Sequence, residues 1–515
     1  MSDSEVEMSD RHGQDLFSES SKKSSSDLGS YIEATVKDSE EVGYVEGLVQ
    51  MCKYALPSSG GMILRRVIDI MNFVVIGRLG DPTLVSGAGL GITTIQITTI
   101  SLGVGLAGGI ETLSSQAFGN GKNYLAGIYY TRAQVVLTIL FVPQAILLYF
   151  ITPILISAGQ PTRSAEVAGL FIKILIPGVW GFCQTELLRK FLGTQGAFYV
   201  VTNSQIFNCI LHPLWLYLFV SKFDLSISGI AIATSITYFM NYLVPMIYVT
   251  LKKDSVRENS MHRINKDSFV GLWQYMKYGI PAMMLTALEY WSFEIITIFG
   301  GLVGEKELGA CVILFNTLAF VYMIPLGFCY AANTLIGNSL GAMNPNSAKV
   351  YRNLAAMIGF ALSLILGTLM FILRYYIANL FTQDEEIIEM VITAMPLISL
   401  STIGDYTQGI SQGTVKAMGI QNYATILSMI GYWGISIPLT IWFTFKLHWG
   451  ICGIFGGLPI ALLFVGGSFL FIIYRTDTVV LSQEICQRLR KEEEGRHMNR
   501  FDSSKSANSH SFLET

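Results

Sequence analysis

The chain has 515 residues, of which 51% are hydrophobic and only 14% are charged, and its mean hydropathy is +0.48. Soluble globular chains carry about 25% charged residues, so this composition argues against a soluble domain and indicates a membrane protein. The net charge of −3 favours no nucleic-acid partner, and seven scattered cysteines without a CxxC pair support neither a disulfide framework nor a metal site.

The first segment, residues 1–46, is polar, acidic and rich in serine, as in "SESSKKSSSD". A segment of this composition cannot bury enough apolar surface to fold alone, so we predict a disordered cytoplasmic tail. The first 45 residues contain no apolar stretch of the kind found in a cleavable signal peptide.

Twelve apolar stretches follow, and most of them lack charged residues over the roughly 20 residues that a helix needs to cross a bilayer. The first, fourth, seventh and tenth carry charged residues in their interior. The predicted transmembrane helices cover residues 54–80, 82–110, 133–162, 167–185, 191–221, 225–251, 278–304, 308–348, 353–373, 389–415, 417–445 and 450–474.

Lysine and arginine are distributed unevenly between the two sets of predicted loops. With the N-terminus inside, twelve lie in the cytoplasmic connections and six lie on the opposite side. Cytoplasmic loops carry such an excess, so we predict that both termini are cytoplasmic. The predicted organisation is an N-lobe over residues 47–254, a cytoplasmic linker over 255–268, a C-lobe over 269–475 and a polar cytoplasmic tail over 476–515.

The two predicted lobes are related in sequence. A shift of 224 residues places "YALP" at Tyr54 on "YGIP" at Tyr278, and a shift of 222 places "FGNG" at Phe118 on "LGAM" at Leu340. One period contains six predicted helices, and an even number makes the two units parallel, related by an axis along the membrane normal. We therefore predict an all-α integral membrane protein with twelve transmembrane helices in two parallel, pseudo-symmetric six-helix lobes.

Three stretches carry a family resemblance: "IPAMMLTALEYWSFEIITIFGGL" from Ile280, "VYMIPLGFCYAANTLIGNSLGAMNPNSAKV" from Val321 and "GDYTQGISQGTVKAMGIQ" from Gly404. They resemble the seventh, eighth and tenth helices of eukaryotic multidrug and toxin extrusion (MATE) transporters. The resemblance runs from about residue 48 to residue 475. It implies that the two lobes form a V-shaped central cavity and that the protein performs cation-coupled efflux.

Acidic residues interrupt the seventh and tenth apolar stretches. A charged side chain at the centre of a bilayer costs roughly 2.5–3.5 kcal/mol on insertion scales, which marks such residues as functional candidates. The resemblance implies that Glu289 and Asp405 are the essential acids of the family. Glu294 lies five residues after Glu289, about 140° around the helix, so it is expected to have a different role, either in binding and coupling or as a structural acid.

Several further residues are candidates for the cavity. Aromatic rings beside the acids suit an organic cation through cation–π contact, and the cavity candidates are Trp291, Tyr290, Asn72, Asn316, Tyr322 and Gln408. In the N-lobe, Arg65 and Asp69 are spaced i, i+4 and are predicted to form a neutralised ion pair. Asn72 stands where the bacterial branch of the family carries an aspartate, so protons are expected as coupling ions rather than sodium.

The predicted function is a secondary active antiporter that exports organic, cationic or amphipathic compounds or xenobiotics in exchange for protons. It is expected to act as a monomer in the plasma membrane or a vacuolar or vesicle membrane, without a cofactor or metal. The alternative is a lipid-linked oligosaccharide flippase of the same superfamily, for which Arg65 and Arg66 would supply cationic charge. An enzyme is not predicted, because the sequence offers no metal constellation and no Ser/His/Asp set.

Overall fold

The computed structural model describes residues 41–511, with side chains through residue 496. Residues 1–40 of the predicted tail over residues 1–46 therefore lie outside the described residues. The first helix begins at Tyr44, within the last part of that predicted tail. The helices are α1 Tyr44–Arg78, α2 Pro82–Gly119, α3 Asn123–Tyr149, α4 Thr162–Thr194, α5 Phe198–Leu216 with the π-helical extension Tyr217–Lys222, α6 Ser226–Leu251, α7 Leu272–Val303, α8 Glu305–Gly341, α9 Pro345–Phe381, α10 Glu385–Met418, α11 Gln421–Lys446, α12 Gly450–Arg475 and α13 Thr478–Ser511.

Several helix ends follow directly from local sequence. The Asp81 side chain accepts a hydrogen bond from the Thr83 amide and stands before Pro82, which begins α2. This is the favoured combination of a capping acid and a proline at the first helical position. At the other end of a helix, Gly419 ends α10 in the left-handed conformation, with φ of 75°, which glycine adopts without strain.

The predicted fold class, an all-helical membrane protein, is confirmed, and within residues 41–511 twelve long helices precede α13. Ten of these twelve described helices are long and apolar enough to cross a membrane, and the other two are α1 and α5. Both exceptions carry polar side chains that meet inside the N-lobe, since Asn72 of α1 lies 2.9 Å from the His212 imidazole of α5. These polar side chains of α1 and α5 therefore face the protein interior.

The two halves repeat the same packing. The Thr202 hydroxyl on α5 donates to the Pro57 carbonyl on α1 at 2.8 Å. The Thr425 hydroxyl on α11 donates to the Pro281 carbonyl on α7 at 3.0 Å. The two prolines are related by the 224-residue shift, and each threonine is the fifth residue of its helix, so α1 packs on α5 as α7 packs on α11.

The apolar clusters show where the two halves meet. One cluster contains residues of both halves, including Leu106 and Leu187 of the first and Ala331 and Ile336 of the second. It lies at the end of the bundle where α1 begins and α12 ends, called the terminal end below. Among the described residues, the far end has two separate clusters, one around Phe171 of the first half and one around Phe455 of the second. The halves therefore converge at the terminal end, which gives the V shape.

At this junction α2 and α8 cross with almost no space between their backbones. A Cβ atom on Gly119 would overlap the carbonyl oxygen of Asn338, and one on Gly341 would overlap that of Gln116. Gly119 and Gly341 are related by the same 222-residue shift as Gln116 and Asn338, so the close approach itself is pseudo-symmetric.

We expect Gly119→Ala and Gly341→Ala each to lower the unfolding free energy by about 1–3 kcal/mol, the usual cost of inserting a methyl group into a packed contact. The measurement is unfolding of the purified protein in detergent. Gly77→Ala on α1 is the matched control, because a Cβ there meets no atom within 4 Å. Equal stability of all three variants would contradict the close crossing.

The helix α13 extends across the terminal end and contacts both halves. The Arg488 guanidinium donates to the Gln116 side chain on α2 and to the Tyr278 hydroxyl on α7, both at 2.5 Å. Ile485 and Leu489, spaced i, i+4, are 3% and 0% exposed. Part of the predicted polar tail therefore packs on the bundle, because these apolar side chains, together with Leu481 one turn earlier, give the helix an apolar face.

Candidate functional site

Two helices of the second half bring polar side chains together near the middle of the bundle. Glu289 of α7 accepts a hydrogen bond from the Gln412 amide of α10 at 2.8 Å. Asp405, Gln408 and Gln412 are spaced i, i+3 and i+7, so they share one face of α10. Asp405 is 3% exposed and lies close enough to Glu289 for the two charges to interact.

A cavity of about 180 Å³ lies between the two halves at this level. Helices α1 and α2 line one side and helices α7, α8 and α10 line the other. The lining residues are Arg65, Arg66, Gln96, Glu289, Tyr290, Phe293, Glu294, Thr297, Phe315, Leu318, Ala319, Tyr322, Met323, Leu326 and Asp405.

The predicted acids therefore lie around one cavity, and two of the predicted aromatic residues, Tyr290 and Tyr322, line it as well. Glu294 is also part of the lining. Its position 140° around α7 from Glu289 does not remove it from the cavity, since the cavity is wide enough to take in both faces. Gln408 is fully buried beside Asp405 and does not line the cavity.

Three predicted cavity residues lie elsewhere. The Trp291 indole donates to the Ile97 carbonyl on α2 at 3.1 Å, so it fills the contact between the halves. Asn72 is buried against His212 inside the first half. Asn316 is exposed on the outer surface of α8, and its amide donates to the Val312 carbonyl one turn earlier. Like Gln408, these three residues do not line the cavity, because helix rotation decides which face meets it.

The predicted Arg65–Asp69 pair is replaced by two other pairs. The Arg65 guanidinium lies 2.5 Å from Glu186 of α4, and Arg66 lies 3.8 Å from Asp69. Arg189 also pairs with Glu186. Because Glu186 is only 3% exposed, its carboxylate requires partners that are themselves charged, and the two arginines supply them.

Another buried ion cluster joins α2, α4 and α10 below the cavity, toward the terminal end. The Glu111 carboxylate lies 3.0 Å from the Lys416 ammonium and 3.4 Å from that of Lys190. All three side chains are at most 6% exposed. The predicted spans leave Lys190 and Lys416 in the short connections between helices, whereas the structure buries them inside helices. Glu111 directly follows the uncharged stretch over residues 82–110, and this single acid is the available sequence signal for the cluster.

Comparison with known proteins identifies this architecture. The MatE family model matches residues 57–218 and again residues 281–442. The two matches are offset by 224 residues at both ends, which is the shift of the internal repeat. The resemblance recognised in the helix sequences is therefore confirmed in both halves of the chain.

Full-length relatives agree with the family match. Multidrug and toxin extrusion protein 1 of Danio rerio is 29% identical over 447 residues, covering 87% of this chain and 75% of its own. Protein DETOXIFICATION 14 of Arabidopsis thaliana is 28% identical over 431 residues, which cover 82% of this chain and 88% of that protein. The crystal structure of the eukaryotic MATE transporter AtDTX14 matches with a TM-score of 0.83 at 25% identity, over 87% of this chain and 100% of that chain. Since the family model covers more than half of the sequence, this chain belongs to the MATE family of membrane efflux transporters.

Proposed function

We propose that this MATE transporter is an antiporter that exports small organic cations or amphipathic compounds in exchange for protons. The main supporting observation is that Glu289, Glu294 and Asp405 line a single cavity between the lobes together with the rings of Tyr290 and Tyr322. Carboxylates attract a cation, and aromatic faces add cation–π attraction that tolerates many shapes of cation.

The charge of the cavity favours a cationic substrate over an anionic one. Arg65 and Arg66 also line the cavity, but each has an acidic partner, Glu186 and Asp69 respectively. The three acids of the C-lobe therefore dominate the remaining charge. A flippase for a lipid-linked diphosphate would instead need unpaired cationic groups at this position, so these pairings argue against the flippase alternative.

The same acids provide a mechanism for exchange. A carboxyl group in a low-dielectric cavity holds a proton more readily than one in water, because burial penalises the charged form. A protonated group no longer attracts a cation, so proton and organic cation compete for one site. Protons are proposed rather than sodium, since Asn72 replaces the bacterial aspartate and its side chain is engaged by His212.

We further propose that the terminal end is cytoplasmic, as the twelve-to-six distribution of basic residues predicts. The lobes converge at that end, so the cavity would face the exterior or the lumen of a vesicle or vacuole. Protonation from that side would release the bound cation. On this proposal the N-lobe spans residues 47–254 and the C-lobe residues 269–475, and a monomer is the functional unit.

Reconstituted vesicles test the proposal. With an acidic interior and no sodium gradient, we expect uptake of organic cations against their own gradient, up to about tenfold per pH unit for one-to-one exchange, since one pH unit is worth about 1.4 kcal/mol per proton. Anionic and neutral compounds of similar size are the matched controls. Uptake driven equally well by sodium at uniform pH, or confined to anionic compounds, would contradict the proposal.

A further inference from the structure

The Glu111 cluster occupies a special place in the fold. Glu111 of α2 and Lys190 of α4 belong to the N-lobe, whereas Lys416 of α10 belongs to the C-lobe. Of the two ion pairs, only Glu111–Lys416 crosses between the lobes. Two hydrogen bonds cross beside it: the Thr112 hydroxyl donates to the Lys416 carbonyl at 2.6 Å, and the Gln116 amide donates to the Ala417 carbonyl at 2.7 Å.

The three charges compensate one another while the lobes remain together. Glu111 is 1% exposed, and a buried carboxylate must be paired to offset the loss of its hydration. Separation of the lobes at this end would admit water to all three side chains, which could then be solvated individually. Of the two contacts of Glu111, only the one with Lys416 is lost on separation, because Lys190 moves with Glu111. Removing Lys416 should therefore shift the balance toward the open arrangement.

The position of Lys416 also links this contact to the cavity. Lys416 follows Gln412 by four residues and Asp405 by eleven, so it continues the polar face of α10 that contacts Glu289. Eleven residues of helix span about 16 Å. A rotation or bend of α10 that changes the contacts of Asp405 in the cavity would displace Lys416 as well.

We propose that the Glu111–Lys416 ion pair is the cytoplasmic gate of the transport cycle. It is closed in this structure and breaks when the cavity turns toward the cytoplasm. The proposal rests on the proposed function in taking the terminal end as cytoplasmic and the lobes as alternating. Lys190 approaches the same carboxylate at 3.4 Å from within the N-lobe, and it also donates to the Val104 carbonyl at 2.8 Å.

The chain contains its own reporter for this gate. Cys329 of α8 is 2% exposed and lies close enough to Glu111, Lys190 and Lys416 to interact with their charges. A variant that keeps Cys329 and replaces the other six cysteines can be treated with a membrane-impermeant maleimide from the cytoplasmic face. The thiol should react only in molecules whose gate is open.

We expect Lys416→Gln to increase the labelling rate of Cys329 on the order of tenfold, by raising the population of open molecules. Lys190→Gln is the matched control. It removes an equally buried cation from the same carboxylate but breaks no contact between the lobes, so the labelling rate should stay near that of the parent. Equal labelling rates of Cys329 in the two variants, or no increase in Lys416→Gln, would overturn the proposal that this ion pair is the gate.

Exchanging the charges of Glu111 and Lys416 distinguishes an effect on the gate from a general loss of structure. In the Lys190→Gln background, which removes the second cation beside position 111, Glu111→Lys and Lys416→Glu should each increase labelling, and combining them should return it toward the parent rate because the pair is restored in reverse. Increased labelling that persists in the double variant would also overturn the proposal. These rates require neither substrate nor a pH gradient, so they remain informative if proton-coupled export of organic cations is disproved.

Discussion

Glu289→Gln is expected to produce a folded transporter whose export no longer responds to a pH gradient. The amide has the shape of the carboxyl group and keeps an oxygen that can accept the 2.8 Å hydrogen bond from Gln412. It cannot ionise, so it resembles the protonated state and holds no negative charge for a cation. The roughly tenfold accumulation that one pH unit supports should disappear, measured as uptake into vesicles at several interior pH values.

The direction in which wild-type efflux depends on pH follows from the exchange of the organic cation for a proton. Acidifying the exterior side protonates the cavity acids there and releases the cation, so efflux should rise as that side becomes more acidic. Reversing the gradient should suppress efflux. Asp405→Asn should remove the same response, because Asp405 lines the cavity and interacts with the charge of Glu289.

Glu294→Gln is the matched control for these two variants. Glu294 lies on α7 beside the same cavity, five residues from Glu289, so a general effect of losing one cavity acid would appear here too. We expect weaker substrate binding, seen as a higher KM, with the pH response retained. A wild-type pH response in Glu289→Gln, or its loss in Glu294→Gln alone, would reassign the coupling residue.

The fold was largely predictable because its signals are local or linear. Each helix needs an apolar stretch of bilayer length, and its ends are set by neighbours in sequence, as Asp81 and Pro82 show for α2. The repeat is an offset in one sequence, so it requires no knowledge of packing. The packing of α13 on the bundle was not predicted because its apolar face, formed by Leu481, Ile485 and Leu489, is short and most of the surrounding residues are polar or charged.

The site was less predictable because it depends on how helices rotate and which distant segments meet. Glu289 and Asp405 stand out in the sequence as acids inside apolar stretches, and both line the cavity. The faces of Trp291 and Asn316 could not be distinguished in the same way, since an aromatic or amide side chain packs equally well against protein or lipid. Their positions were decided by the contact of α7 with α2 and by the outward face of α8.

The N-lobe ion pairs show a second limit on predicting the site from sequence. The i, i+4 rule identifies partners within one helix, but Arg65 pairs with Glu186, which is 121 residues away. Glu186 fell just outside the predicted fourth span, where charged residues are assigned to loops. Its burial makes the distant pair the stronger one, since a buried carboxylate gains more from a cation than the partly exposed Asp69 does.

Glu186→Gln should therefore strongly destabilise the N-lobe. It leaves the Arg65 and Arg189 guanidinium groups without their shared carboxylate in a site where Glu186 is 3% exposed. Removing one partner of a buried pair costs about 3–5 kcal/mol, measurable by denaturant unfolding and by the amount of folded protein recovered. Asp69→Asn is the matched control, because its pair with Arg66 spans 3.8 Å with side chains 28% and 32% exposed. Such pairs contribute about 0–1 kcal/mol.

The charge argument can be separated from a simple loss of packing by a second substitution. Arg65→Met in the Glu186→Gln background removes one of the two unpaired cations and keeps a side chain of similar length. If unpaired charge causes the instability, the double variant should be more stable than Glu186→Gln alone, because a buried ion pair replaced by apolar groups is often tolerated. A further loss of stability in the double variant would show that Arg65 stabilises the lobe through its packing over the Phe182 ring, 5.3 Å from the guanidinium carbon, rather than through charge.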